Sequence, residues 1–405
     1  MCGICGIFEY ERWNDVSGEI VHRMNQTMVH RGPNDGGIFV GPGIGLGHRR
    51  LSIIDVQGGH QPMSNEDGTV WVLLNGEIYN YTELRAELLQ RGHKFGTKSD
   101  TEAIVHLYEE YGEACFAKLD GMFSIAIWDS RNRKLVLARD RVGKKPLFYA
   151  ANAERIVFGS ELKALLTNQS VCRDTDDQAL SDYFSFGYIP APKTIYKSIR
   201  KVMPGHYLVA MNSGLRETCY WDLSYANVEQ RSESEWCERL RHHLCEATRV
   251  RLMSEVPLGA FLSGGIDSSS VVAMMSHLMK REVVTCSISF NEKQYDEAQY
   301  ARQVSDLFHT NHHEEAVEPN ALEIVDKLAW HYDEPFADSS AIPTYYVSKI
   351  ARRHVTVALG GDGGDESFAG YRRYKLDHYE NRLRRRLPAS LRYAEIGRAS
   401  CRERV

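Results

Sequence analysis

A net excess of positive charge is absent from this sequence. Its 405 residues carry 49 Lys and Arg against 54 Asp and Glu, interspersed, for a formal charge of -5. No basic face is available for nucleic-acid phosphates, so nucleic acid is not an expected partner. No run approaches the ~18 apolar residues of a membrane span, and Cys2, Glu9 and Glu11 stand where a secretory signal needs a basic start and an apolar stretch. The expectation is a cytoplasmic protein without a membrane partner. Nine cysteines are scattered from Cys2 to Cys401. Cys2 and Cys5 make a CxxC without a second pair or a following histidine cluster, so a zinc site there is not expected and most thiols read as reduced core residues. A GxxxxGK[ST] phosphate loop, an internal repeat and a low-complexity tract are also missing.

A chain of this length exceeds one hydrophobic core and predicts two domains. Residues up to about 200 read as glycine-punctuated strands at 45–54, 70–74, 122–128, 134–138 and 156–158, with helices over 82–90 and 101–111, a layered α+β pattern. After Pro190, Pro192 and Pro204 and a polar stretch over 227–235, helix and strand alternate: helices over 235–250, from Ser268 and over 296–307, strands over 256–262, 283–290 and 355–359. That order predicts a parallel sheet wound with helices, its ligands at the carboxyl ends of the strands. The expected division is a first domain over 1–205, a connecting segment over 206–235 and part of a second domain over 236–394. A tail over 395–405 resembles translated vector sequence, and the natural chain is expected to continue past it.

Met1-Cys2-Gly3 puts a small residue second, so methionine removal would expose a cysteine whose α-amine (reference pKa about 7.7 to 8.0) can take the proton of its own thiol (about 8.5). On position alone the plainer reading, a small residue near a loose terminus, is the stronger. The 30–35 run HRGPND is a charged turn, and Arg49 and Arg50 set two guanidinium forks at a strand, suited to an amino-acid carboxylate. The 74–80 run ends an apolar strand with the Asn75 amide, the Gly76 N–H and the Glu77 carboxylate, groups suited to an oxyanion and a substrate ammonium. Ser99-Asp100-Thr101 opens a helix and reads equally as an ordinary N-cap. The 139–149 run RDRVGKKPLFY reads as structural: Gly143 and Pro146 fix a turn, and the charges pair near a domain boundary.

In the second half, FLSGGIDSS over 261–269 follows a strand and opens a helix. Gly264 and Gly265 let backbone N–H groups approach an anion, the hydroxyls of Ser263, Ser268 and Ser269 can donate, and Asp267 can hold Mg²⁺ against phosphate oxygens. LGGDGGDE over 359–366 is a second glycine-rich turn after a strand, with carboxylates at Asp362 and Asp365.

Taken in order, MCGICGIF, HRGPND, RRLSIID, LNGEIYN and KSDTE resemble class II glutamine amidotransferases, while SGGIDSS, YDEPFADSS and GGDGGDE resemble the ATP pyrophosphatase half of asparagine synthetases. The resemblance runs from residue 1 to about 375. It implies an N-terminal-nucleophile αββα sandwich, an α+β fold, followed by an α/β parallel-sheet domain of the ATP pyrophosphatase type. It implies Cys2 as nucleophile, with the Asn75 side chain and Gly76 N–H as oxyanion donors. Glutamine contacts would be Arg50, Ile53, Asn75, Gly76, Glu77 and Asp100. ATP would be bound by Leu262, Ser263, Gly264, Gly265, Asp267, Ser268, Ile288, Gly360 and Gly361, with Asp267 and Asp365 on Mg²⁺ and Asp362 a candidate at the acceptor site.

The implied reaction hydrolyses glutamine at Cys2, passes ammonia through an internal tunnel, and uses ATP to adenylate and amidate aspartate, giving asparagine, AMP and pyrophosphate. Three departures touch the acceptor: Asp362 stands where many members have Glu, Ser339 where some carry an arginine suited to aspartate, and the sequence stops too early to show the family's C-terminal catalytic lysine near the phosphates. A sugar acid or other carboxylate is the alternative acceptor, since relatives that amidate polysaccharide sugars carry similar runs. Glutamine hydrolysis alone by a truncated chain is the third reading. A second copy of the chain, forming a homodimer, is a candidate partner.

Overall fold

The computed structural model describes residues 1–11, 15–226, 229–290, 297–318 and 321–386, so the expected tail over 395–405 lies outside it. The chain divides into two compact units, Met1–Pro257 with Glu318–Tyr346, and Leu258–Val317 with Val347–Val405.

The first unit opens with β1 (Gly3–Glu9), α1 (Gly18–Gln26), β2 (Asp35–Gly41), β3 (Ile44–Arg50), β4 (Met63–Ser64) and β5 (Val70–Ile78). Helices α2 (Tyr81–Gln90) and α3 (Asp100–Tyr111) precede β6 (Gly121–Asp129), β7 (Lys134–Arg139), β8 (Phe148–Ala151) and β9 (Arg155–Gly159). Then come α4 (Leu162–Leu166), α5 (Asp177–Phe186), β10 (Ile199–Lys201), β11 (His206–Met211), β12 (Gly214–Cys219) and α6 (Glu233–Arg251). The strands form two six-stranded sheets, ordered β10-β8-β9-β1-β3-β2 and β12-β11-β7-β6-β5-β4.

Because side chains alternate along a strand, each strand supplies two layers. Ile4 and Phe8 of β1, Leu46 of β3, Leu73 of β5, Ala126 and Trp128 of β6 and Leu135 and Leu137 of β7 share one core between the sheets. The opposite parity of the second sheet, Val72, Leu74, Ile125, Ile127 and Val136, packs on Leu84 and Leu88 of α2 and Ile104 and Leu107 of α3. Cys5 and Ile7 of β1, with Val157 of β9, pack on Val21 and Met24 of α1 and Leu162 and Leu165 of α4. These layers make an αββα sandwich, and each fully buried Leu, Ile or Phe adds about 1.5–3 kcal/mol.

Three sequence expectations need correction. The strand expected over 45–54 stops at Arg50, where the guanidinium takes the carbonyls of Ile54 and Asp55 at 2.9 and 2.7 Å and turns the chain. Residues 206–219 are not a connector: β11 pairs with β7 and β12 with β11, extending the second sheet. In the 139–149 run, with charges expected to pair near a domain boundary, Asp140 and Arg139 bind backbone. Asp140 accepts from the N–H groups of Phe123, Val142, Lys144 and Lys145, while Arg139 donates to the carbonyls of Lys145, Val202 and Gly143.

In the second unit, β13 (Leu258–Phe261), α7 (Ile266–Leu278), β14 (Val284–Phe290), α8 (Ala298–Phe308) and β15 (Asn311–Val317) follow in order. Helix α9 (Ala321–Tyr332) belongs to the first unit, although it lies inside the range expected for the second domain. There Asp333 pairs with Lys163 at 2.9 Å and Glu334 with Lys201 at 2.5 Å. Helix α10 (Ala341–Ala351), β16 (Val357–Leu359), α11 (Gly364–Phe368) and α12 (Arg372–Arg386) end the described chain. The sheet is parallel throughout, ordered β15-β14-β13-β16.

Asp140 is 1% exposed. Asp140→Ala would strand several buried N–H groups and is expected to lower stability by about 3 kcal/mol or more. Chemical denaturation checks this, and a loss under about 1 kcal/mol would contradict the anchoring role.

Candidate active site

Strand parity carries the core's inner face out to its polar end. Cys2 continues the inward set of Ile4 and Phe8 on β1, Arg50 that of Leu46 on β3, and Asn75 and Glu77 that of Leu73 on β5. Register brings the first two together, since Gly3 is opposite Arg49, and the Cys2 Sγ accepts from the Leu51 N–H at 3.4 Å. Asn75, opposite Ser124 on β6, is wholly buried; its Nδ2 lies 3.2 Å from Ser124 Oγ and 3.4 Å from Ser160 Oγ, while its Oδ1 has no partner. Ser160 Oγ also accepts from the Ile4 N–H at 3.0 Å, tying the amide to the strand that carries Cys2. Turned by half a rotation, Asn75 accepts from both hydroxyls and aims its NH₂ where Oδ1 now has no partner, the orientation an oxyanion donor requires.

Gly76 has no room for a side chain, because a Cβ there would fall 2.0 Å from the Met122 carbonyl oxygen. Arg50 spends three donors on the carbonyls of Ile54, Asp55 and Val56, leaving Nε and one Nη1 proton. Glu255 holds the same turn from the other side, accepting from the N–H groups of Asp55 and Val56 at 3.1 Å each, while the Ile53 carbonyl accepts from the Glu255 N–H at 3.0 Å. At the start of α3 the two sequence readings separate. Ser99 is the N-cap, accepting from the Thr101 N–H at 3.2 Å, and the Asp100 carboxylate instead accepts from the Ile78 N–H at 3.0 Å, beside Glu77.

Burial sets the electrostatics. Burial first, then repulsion from Asp100, pushes Glu77 up to about 7, against the pull of Lys145. Burial also raises Asp100 to about 6 despite its backbone hydrogen bonds. The Cys2 thiol is raised by burial, with the Leu51 N–H, the N-terminal amine and Lys145 opposing. With Met1 in place, burial lowers the terminal amine to about 5, and that amine donates to the Arg31 carbonyl at 3.2 Å. Sequence reading missed Lys145, a buried cation whose Nζ lies 3.2 Å from the Met1 Sδ and whose charge acts on both Cys2 and Glu77. It also missed Ser124, Ser160 and Arg31, the last donating to the Cys2 carbonyl at 2.8 Å and to Glu161 at 2.9 Å. The signal for Lys145 was the run it sits in, whose Asp140 anchor fixes the Lys145 backbone.

In the second unit, β16 lies beside β13 on the side away from β14 and β15, and both glycine turns follow the carboxyl ends of these two strands. Leu262 donates its N–H to the Cys286 carbonyl at 3.0 Å. The Ser263 hydroxyl lies 3.0 Å from that of Ser268 and accepts from the Gly265 N–H at 3.2 Å. Gly264 sits at φ +83, and a Cβ there would fall 2.5 Å from the backbone N of Ala301. A Cβ on Gly361 would fall 2.9 Å from that of Asp267, and one on Gly364 2.2 Å from the Asp267 Oδ2. The Asp267 carboxylate therefore lies on the backbone of the second turn, one residue from Asp365 in α11. Gly360 faces the exposed Asp362, and Ile288 is half-buried on β14. Ser269 Oγ is buried without a hydrogen-bond partner. Side-chain-free turns, a helix start and an unpaired hydroxyl fit a phosphate chain, and the adjoining carboxylates fit a hard cation.

The sequence matches two family profiles, a glutamine amidotransferase domain over residues 1–221 and asparagine synthase over residues 239–404. The chain belongs to the asparagine synthetase family. Asparagine synthetase [glutamine-hydrolyzing] 1 of Bacillus subtilis is 38% identical over 379 residues, covering 93% of this chain and 60% of that protein. Putative asparagine synthetase [glutamine-hydrolyzing] 2 of Methanocaldococcus jannaschii is 38% identical over 418 residues, covering 97% of this chain and 79% of that one. Amidase chry2 of Gibberella zeae is 31% identical over 413 residues, covering 93% and 60%. The chain thus spans about 60% of the length of the Bacillus relative.

Removing the buried cation should raise the Cys2 thiol further. Lys145→Met is expected to slow alkylation of Cys2 at about pH 7.5 several-fold, read by mass spectrometry of the Cys2 peptide; an unchanged rate would show that Lys145 does not act on the thiol.

Proposed function

We propose that this chain is the glutamine-using part, with part of the ATP-using part, of a glutamine-dependent asparagine synthetase. The observation that supports it most is the convergence of Cys2, Asn75, Glu77, Arg50 and Asp100 at one end of the sandwich.

With Met1 removed, the Cys2 amine accepts the thiol proton and the thiolate attacks the glutamine carboxamide carbon. Asn75 Nδ2 and the Gly76 N–H receive the negative charge on oxygen. The proton passes to the departing nitrogen, ammonia leaves, and water cleaves the thioester to glutamate. The two free donors of Arg50 take the glutamine carboxylate, with Ile53 on the same turn, while Glu77 and Asp100 take its ammonium.

In the second unit the Ser263, Gly264 and Gly265 turn, Ser268 and the Gly360 and Gly361 turn take the phosphates of ATP, with Leu262 and Ile288 beside the nucleotide. Asp267 and Asp365 would hold Mg²⁺, which when bound neutralises phosphate charge. Ammonia from Cys2 amidates an adenylated carboxylate, with Asp362 near the acceptor. Aspartate is the proposed acceptor because relatives at 38% identity carry the asparagine synthetase name. Since ATP, glutamine and aspartate meet in the cytoplasm, that is the proposed location. Ser339, where some family members carry an arginine suited to aspartate, supports a sugar acid or other carboxylate as the second reading.

Cys2→Ala is expected to abolish glutamine hydrolysis. In a version extended to the length of its relatives, it should leave ammonia-driven AMP release intact; retained glutaminase activity would remove Cys2 as nucleophile. In the extended version a carboxylate panel scored for AMP separates the acceptors, and Asp267→Asn and Asp365→Asn should each cut AMP release at least ~100-fold while sparing glutamine hydrolysis. Near-wild-type AMP release in both would refute the metal assignment.

A pH profile tests the carboxylates. Both are raised acids, so their charged forms, which bind the substrate ammonium, exist above the folded pKa values of about 7 and about 6. Glutaminase kcat/KM should therefore fall as pH drops through this window. A Glu77→Gln variant with an unchanged acid limb and KM would exclude Glu77 from ammonium binding.

A further inference from the structure

Outside the Cys2 site of the first unit, the turn after α2 and the middle of α3 bring together two imidazoles and a carboxylate. His93, His106 and Glu109 each offer one ligand atom, all within 4.8 Å of one another. The His106 Nδ1 lies 2.9 Å from the Glu109 Oε2, and the His93 Nδ1 lies 3.6 Å from the same oxygen. Tetrahedral zinc with bonds of ~2.1 Å separates its ligand atoms by roughly 3.4 Å, a value these distances bracket.

The opposite edge of each ring meets a further carboxylate. His93 Nε2 lies 3.0 Å from Glu110 Oε1, and His106 Nε2, buried without a hydrogen-bond partner, faces Glu102 Oε1 at 3.9 Å. A carboxylate behind each imidazole is the arrangement that orients metal-bound histidine and raises its basicity. The other oxygen of Glu109 accepts from Asn65 Nδ2 at 2.8 Å, which fixes the carboxylate. His106 is 1% exposed, whereas the side chains of His93 and Glu109 are 15% and 22% exposed, so an ion can enter from solvent.

We propose that His93, His106 and Glu109 bind a divalent transition-metal ion of the zinc class, with water completing the tetrahedron. The site is structural. His106 lies six residues, or roughly 9 Å, along α3 from Asp100, so the ion would fasten the α2–α3 connection without touching the glutamine contacts.

Equilibrium dialysis with Zn²⁺ alone at about pH 7.5, on the Cys2→Ala chain to remove the nucleophilic thiol, should show one tight equivalent. His93→Gln and Glu109→Gln should each weaken it at least 10-fold. Zn²⁺ should raise the melting temperature of the parent but not of either variant. Co²⁺ should give visible d–d bands without a thiolate-to-cobalt charge-transfer band. His93 is partly exposed and its variant should fold; if it does not, Glu109→Gln alone decides. Absence of a tight equivalent, equal affinity in the parent and Glu109→Gln, or a cobalt spectrum showing thiolate ligation would each overturn the proposal.

Discussion

Alternation along a β-strand constrains everything else in the first unit. The inward positions of β1, β3 and β5 are apolar through most of the sandwich and become polar together at one end, at Cys2, Arg50, Asn75 and Glu77. A register slip of one residue in any of these strands would send its polar member into a helix layer and a core residue outward. The pairing that builds the core therefore also assembles the site, and His48, buried and neutral, bridges the sheets through its 3.0 Å contact with the Leu74 carbonyl.

Placing those groups at the edge of an apolar core has an electrostatic consequence. Isolated carboxylates resist ionisation there: burial raises both Glu77 and Asp100, and the charge of Asp100 raises Glu77 further. Lys145 supplies the opposing charge, and Asp140 and Arg139 hold the backbone of its turn in place. The same run therefore serves stability and the site, and the two roles cannot be separated by distance alone.

The second unit solves a different problem with a different element. A parallel sheet sends every strand's carboxyl end to one edge, and only residues without side chains let two such ends close on one another. Gly361 and Gly364 against Asp267 show this: any Cβ would occupy the space that the carboxylate and the turn now share. Carboxylates far apart in the chain become neighbours through strand order, not through their own interaction.

The sequence by itself determined the fold classes, through the switch from glycine-punctuated strands to strand–helix alternation, and marked the candidate site residues: Cys2 behind Met1, the Asn75-Gly76-Glu77 strand end and the two glycine-rich turns. Those signals are local, because residue type and spacing suffice to read them. Tertiary structure alone decided what long-range pairing controls. Polar β15, NHHEEAV, carries no strand pattern of its own and is a strand because it pairs with β14. The 206–219 segment joins the sheet through β7, more than sixty residues earlier. Ser124 reaches Asn75 through the pairing of β5 with β6, Ser160 reaches it only when the two sheets stack, and His93 meets His106 only when α2 and α3 pack. None of these contacts leaves a mark on neighbouring residues, since the free energy that forms them comes from surfaces brought together after the local elements exist.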